Sequence, residues 1–242
     1  MNKVIVMMTL KQFWSRKVRI LLVVVIMAIP VIMDVMYRQV SHTKVLTEAE
    51  FFFTLPMLAL IVGAGIVGQD ISDGILPSIF SRPIKRWTYV FSKWLTVSTI
   101  VVALTLLSLG CHFLFISCVT HNLVEHIPET VSRVVLKAFG TTSVLILLSS
   151  LLPGAADVGV ILLICVATFA MLTLGACFNV PGMIVTAASF NAVVFPSFEF
   201  IYIRSLQSLF SIEVGRYVAI VLLCLSVSVL LVNQKELSYG SS

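Results

Sequence analysis

The stretch Phe51 to Gly68, FFFTLPMLALIVGAGIVG, decides how the chain is read, together with the polar connection after it: Gln69-Asp70-Ile71-Ser72-Asp73-Gly74-Ile75-Leu76, then Ser81-Arg82-Pro83-Ile84-Lys85-Arg86 and Lys93. The first part is uncharged throughout and close to the roughly 20 apolar residues that cross a bilayer core. The second part holds four of the sixteen basic residues and two of the eleven acidic ones. An apolar run that ends in the densest charge of the chain reads as a membrane crossing followed by a connection presented to water.

The rest of the composition agrees. The chain of 242 residues is 59% hydrophobic and 11% charged, with mean hydropathy +1.09. A soluble domain carries about 25% charged residues, so this inventory cannot cover a water-facing surface. The expected fold is all-α and polytopic, a single transmembrane domain over 1-242. Its six crossings are expected at about 18-37, 51-68, 94-119, 134-152, 158-178 and 217-234. The first apolar stretch starts late, is long and lacks a small-x-small cleavage pattern, so it is not read as a signal peptide. From Val158 to Phe198 there is no charge at all. Asn179-Val180-Pro181-Gly182 marks a turn there, and Asn191, Pro196, Glu199 and Arg204 suit a re-entrant or interfacial segment over 183-203 better than a seventh crossing.

Lys and Arg set the orientation. With the N-terminus inside, the inner segments hold Lys3, Lys11, Arg16, Lys17, Arg19, Arg82, Lys85, Arg86, Lys93 and Lys235. The outer ones hold Arg38, Lys44, Arg133, Lys137, Arg204 and Arg216. Both termini and the charged connection are therefore expected on the cytoplasmic side, and the net charge of +5 reports topology, not nucleic-acid binding. Asn2 to Lys17 reads as an interfacial amphipathic helix. Val4, Met7, Met8 and Lys11 make no clean stripe in it, but Phe13 and Trp14 beside Arg16 and Lys17 suit the headgroup layer.

Motifs for catalysis are missing. There is no GxxxxGK[ST] phosphate loop, no HExxH and no paired Cys/His set, and Asp34 and Asp157 both sit near span ends, which does not suit aspartyl proteolysis within the bilayer. The chain is thus expected to be neither an enzyme nor a metal protein. His112, His121 and His126 do not converge with Cys111 and Cys118 on one helix face. The five cysteines lie in apolar spans and read as small buried hydrophobes. Asp34 and Arg38, at i and i+4, stand either as a local ion pair or as part of a pathway. Gly63, Ala64, Gly65 and Gly68 read as a small-residue surface for close helix packing.

The connection itself, 69-86, carries more pattern than a bland loop needs. Asp70 and Asp73 are one turn apart, and Gly74 admits a sharp change of direction. Ile75, Leu76, Ile79 and Phe80 make a short apolar face. Pro83 suits the first turn of a new helix, and Lys85, Arg86 and Lys93 would anchor that helix at the membrane surface. This describes a short amphipathic helix from Asp70 to Phe80, a break and a restart: a docking element.

The same residues resemble the signature of the ABC-2 type permeases, the membrane subunits of a group of ABC transporters. That pattern runs acidic-x-x-Gly-small-Leu, then Ser-x-Pro-Ile-x-Arg, then Lys. Asp70 or Asp73, Gly74-Ile75-Leu76, Ser81-Arg82-Pro83-Ile84-Lys85-Arg86 and Lys93 stand in those places. The chain departs in having Asp where Glu is usual, and in the spacer Pro77-Ser78-Ile79-Phe80. The six-span layout and basic N-terminal flank extend the likeness over nearly the whole chain.

The resemblance implies a coupling helix that sits in a groove of a separate ATP-binding subunit, with ATP and Mg held there and no cofactor on this chain. It implies an exporter in a bacterial cytoplasmic (inner) membrane, working with a second permease copy or paralogue, with lipids around it and room for an extracytoplasmic partner. The alternatives are a secondary carrier or channel, which would need more embedded charge and an internal repeat, and a non-transporting scaffold that docks a soluble partner through the same loop.

Overall fold

A computed structural model of the chain describes residues 3–14, 17–40, 49–81, 84–120, 127–152, 156–178, 180–196 and 212–239. All regular structure among them is helical: α1 (Lys3–Trp14), α2 (Lys17–Val40), α3 (Ala49–Gly63), α4 (Gly68–Ser72), α5 (Leu76–Phe80), α6 (Arg86–Thr120), α7 (Ile127–Leu151), α8 (Ala156–Cys177), α9 (Pro181–Val194) and α10 (Ile212–Tyr239). Five stretches are long and apolar enough to cross a membrane: Leu55–Ser72, Arg86–Phe115, Val131–Leu151, Ala156–Gly175 and Glu213–Gln234. The fold is that of a helical membrane protein. The sixth expected crossing, 18-37, falls on α2, whose 24 residues include Pro30 and whose side chains are described only in part.

Hydrogen bonds between helices fix their directions. Arg19, near the start of α2, donates to the carbonyl of Ala64 just past the end of α3. Lys93, early in α6, donates to the carbonyl of Ile66. Ser149, near the end of α7, and Asp157, at the start of α8, accept from the same turn. Five helix ends therefore meet at one end of the bundle. At the other, Tyr217 near the start of α10 donates to the carbonyl of Leu136 in α7 at 2.7 Å, so α10 runs the same way as α7 and ends where α2 begins. Net travel from α8 to α10 thus needs no crossing by α9, which is 14 residues long. At 1.5 Å per residue that is about 21 Å, short of the roughly 30 Å hydrocarbon core. It packs on α8, and Pro196 beyond it reaches Gly140. A Cβ on Gly140 would come within 2.8 Å of the Pro196 ring and 3.0 Å of the Tyr217 ring, so only glycine admits this approach.

The Leu55–Ser72 stretch is the axis, with 83% of it buried, against 19% for α8 and 22% for α10. Leu55, Leu58, Ala59 and Val62 pack against α6 and α7, and Gly63 lets Leu145 approach to 3.3 Å of where its Cβ would stand. Most hydroxyls within the helices are returned to the backbone one turn back, as with Thr105 to Val101 and Ser228 to Cys224, which satisfies them in a medium without water. The buried Thr141 hydroxyl, with no partner among the described residues, departs from that pattern. Polar stitches join neighbours: Ser98 with Thr142 at 2.6 Å, and Trp94 to the carbonyl of Phe139 at 3.2 Å. The outer faces of α8 and α10 present Leu162, Leu163, Val166, Leu222 and Leu223. Cys224 is the buried cysteine. Cys111, Cys118 and Cys177 lie on the outer surface, where a thiol facing hydrocarbon needs no core.

Helix α1 lies against α6 and α2, burying Ile5, Thr9 and Phe13. Val4, Met7 and Met8, read in sequence as forming no stripe, share the exposed side at spacings of three and four, which one helix face brings together.

Candidate functional site

The second span does not run through as one helix. Helix α3 stops at Gly63, residues 64–67 form a turn, and α4 resumes at Gly68. Gly65 has φ +64°, a backbone conformation costly to any residue with a Cβ. Breaking a helix inside a span frees backbone groups that lipid cannot satisfy, and here side chains from four other helices take them up. Asp157, 0% exposed, accepts the Gly65 N–H through Oδ2 at 2.9 Å and its own neighbour Val158 N–H through Oδ1 at 2.9 Å. Ser149 Oγ accepts from Val67 at 3.1 Å and Gly68 at 3.0 Å. Arg19 and Lys93 supply donors to the carbonyls of Ala64 and Ile66. The glycines read as a packing surface thus divide: Gly63 packs, Gly65 turns, and Gly68 offers its N–H to Ser149.

Beyond the turn, Asp70 points into the bundle. Its Oδ2 accepts from Tyr89 Oη at 2.7 Å and Lys93 Nζ at 2.5 Å, and Asp70 and Lys93 are 5% and 2% exposed. The expectation that Lys93 anchors a helix at the membrane surface is corrected. It lies inside α6, which begins at Arg86 and not near Trp94, because the Asp70 carboxylate neutralises it and permits its burial. Asp70 is likewise an internal partner and not an exposed acid.

The expected helix from Asp70 to Phe80 is two five-residue helices. Gly74, with φ +65°, turns the chain between them. Leu76 is fully buried, Ile79 and Phe80 pack against the core, and Ile75 is half-buried. Phe80 meets the Tyr89 ring edge-on at 5.5 Å, and the Arg86 guanidinium stands 5.7 Å from the Phe80 ring. The outer side carries Asp73, Gly74, Ser78, Ser81, Lys85 and Arg86, all exposed. Arg82 and Pro83 lie outside the described residues, as does any restart of the helix at Pro83. The side chains of Asp34 and Arg38 are also outside them, although both residues are in α2.

Sequence reading found the exposed residues and missed Asp157, Ser149 and Arg19. Asp157 left one signal: a lone acid between two long apolar runs.

No protein-family model matches the chain, and no curated protein matches it in sequence.

Proposed function

We propose that the chain is the membrane-spanning permease subunit of an ATP-driven ABC transporter of the ABC-2 type, an exporter, coupled to a separate ATP-binding subunit. One observation carries the reading: the unit from α4 to α5 is polar and exposed on its outer side and locked to two spans on its inner side. Asp73, Ser78, Ser81, Lys85 and Arg86 are available to a soluble partner. Asp70 and Phe80 join the same unit to the start of α6 through Lys93 and Tyr89, and Leu76 is buried in the core. Displacement of the outer face is therefore passed to α6 and to the broken end of the second span. Arg82 and Pro83 complete the coupling face on the strength of the motif.

In this reading six helices cross, α2 among them, both termini are cytoplasmic, and α1 lies at the interface. Helix α9 re-enters from the far side, and the apolar outer faces meet lipid or a second permease copy. The basic residues Lys11, Lys17 and Arg86, and Lys85 just before α6, lie at helix ends that gather at one end of the bundle, which supports that orientation. Charges embedded elsewhere would favour a secondary carrier. Lys137 is one such charge, buried in α7, but Asp70, Lys93 and Asp157 gather at the broken turn, and that grouping supports coupling over a pathway.

The test is affinity purification of the tagged chain from its own membranes. An ATP-binding protein in roughly equal amount is the expected result, and its absence counts against the assignment. Gly74→Pro, or Arg82→Glu with Arg86→Glu, should uncouple ATP hydrolysis from transport while leaving insertion intact. Normal transport by these variants would refute the docking claim.

A further inference from the structure

We propose that a cavity between α1, α5 and the start of α6 is a binding site for a single-chain amphiphile with an uncharged, hydroxyl-bearing head, of which a monoacylglycerol is the simplest example. The cavity holds about 430 Å³. Ile5 and Met8 of α1 line one wall, and Ile75 and Ile79 line the other. Such a volume, largely apolar with a few convergent polar groups, has the make-up of a small-molecule site.

The polar lining is Lys11, Gln12, Asp70, Tyr89 and Lys93, and the floor made by Asp70 and Lys93 selects the head group. Asp70 Oδ2 takes both Tyr89 and Lys93, and Oδ1 has no partner among the described residues. An ammonium has three N–H donors. Lys93 spends two, on Asp70 Oδ2 and on the carbonyl of Ile66, and its ammonium stands 5.2 Å from the Tyr89 ring. The floor thus offers one open acceptor beside an ammonium with one N–H not spent on an oxygen, on side chains almost wholly removed from solvent, with no net charge between them. A hydroxyl answers both at once, accepting from Lys93 and donating to Asp70 Oδ1.

A carboxylate head would meet the Asp70 oxygen, and an ammonium head would face Lys93. Either would also bring a charge out of water with its counter-charge already engaged. Lys11, at the rim, is exposed and solvated, so it does not reverse that preference. The acyl chain takes the space between the isoleucines and Met8, and so bridges α1 to α5. None of this depends on an ATP-binding partner.

The test uses the full chain in phosphatidylcholine nanodiscs, whose own head group carries no hydroxyl. A monoacylglycerol bearing a diazirine on its chain is photolysed, and the adducts are mapped by mass spectrometry. Adducts are expected on the α1 and α5 peptides. They should fall at least fivefold in Met8→Trp/Ile79→Trp, which fills the cavity, with labelling of the outer face of α8 unchanged.

On the wild-type chain, unlabelled monododecanoylglycerol should displace the label at about tenfold lower concentration than dodecanoic acid or dodecylamine. That is the cost of one unmet buried hydrogen-bonding group. Labelling unaltered by the double substitution overturns the site. Equal or better competition by either charged amphiphile overturns the ligand class, and the competition arm stands even where the double variant does not fold.

Discussion

Asp70 and Lys93 belong to the same charged stretch of sequence as Asp73, Lys85 and Arg86, yet the two sets do opposite things. The first pair is buried in the bundle with Tyr89 closing over it, and the second set faces outward. A charge count alone treats them as one patch. The structure divides them into an inner lock, whose removal should destabilise the fold, and an outer face, whose removal should leave the fold alone. The difference is one of solvation: an unpaired charge costs little in water and several kcal/mol inside.

Substitutions at each place can break or sharpen that division. Lys93→Met leaves the Asp70 carboxylate buried without its cation, and should cost about 3–5 kcal/mol in detergent unfolding followed by helical circular dichroism. Adding Asp70→Asn should restore most of the loss. Two additive single effects would show that the pair is not a lock. Asp157→Ala strips the acceptor from the Gly65 and Val158 N–H groups, and should cost about 1–3 kcal/mol in the same assay. Asp157→Asn, which keeps an acceptor, should cost less. At Gly74 nothing lies within 4 Å of an added Cβ. Gly74→Ala therefore isolates the backbone term at φ +65°, about 1–2 kcal/mol.

Much of this architecture was legible in the sequence. The apolar runs give the crossings because a span's length is set by the bilayer and its polarity by the absence of water. The exposed half of the connection was legible too, from Gly74 and the apolar spacing of Leu76, Ile79 and Phe80. What could not be read is the break at residues 64–67. It exists because Ser149 and Asp157 lie 82 and 92 positions away from the N–H groups of Val67 and Gly65 that they hold, and no local pattern encodes such a contact. A glycine cluster in an apolar span reads the same whether it packs a neighbour, as Gly63 does, or turns the chain, as Gly65 does. Lys93 misled for a related reason: a lone lysine at a span end resembles an anchor until its carboxylate is found.

The smallest expected effect on stability carries the largest expected effect on function. Asp73→Lys with Lys85→Glu alters exposed side chains and should shift unfolding by no more than about 0.5 kcal/mol. The most direct measurement is therefore the amount of ATP-binding protein recovered with this variant and with the unaltered chain, each purified from the same membranes. The expected result is a normally inserted, equally stable chain that has lost the partner. Recovery of the partner in full by the reversed chain would contradict the assignment of this face to docking.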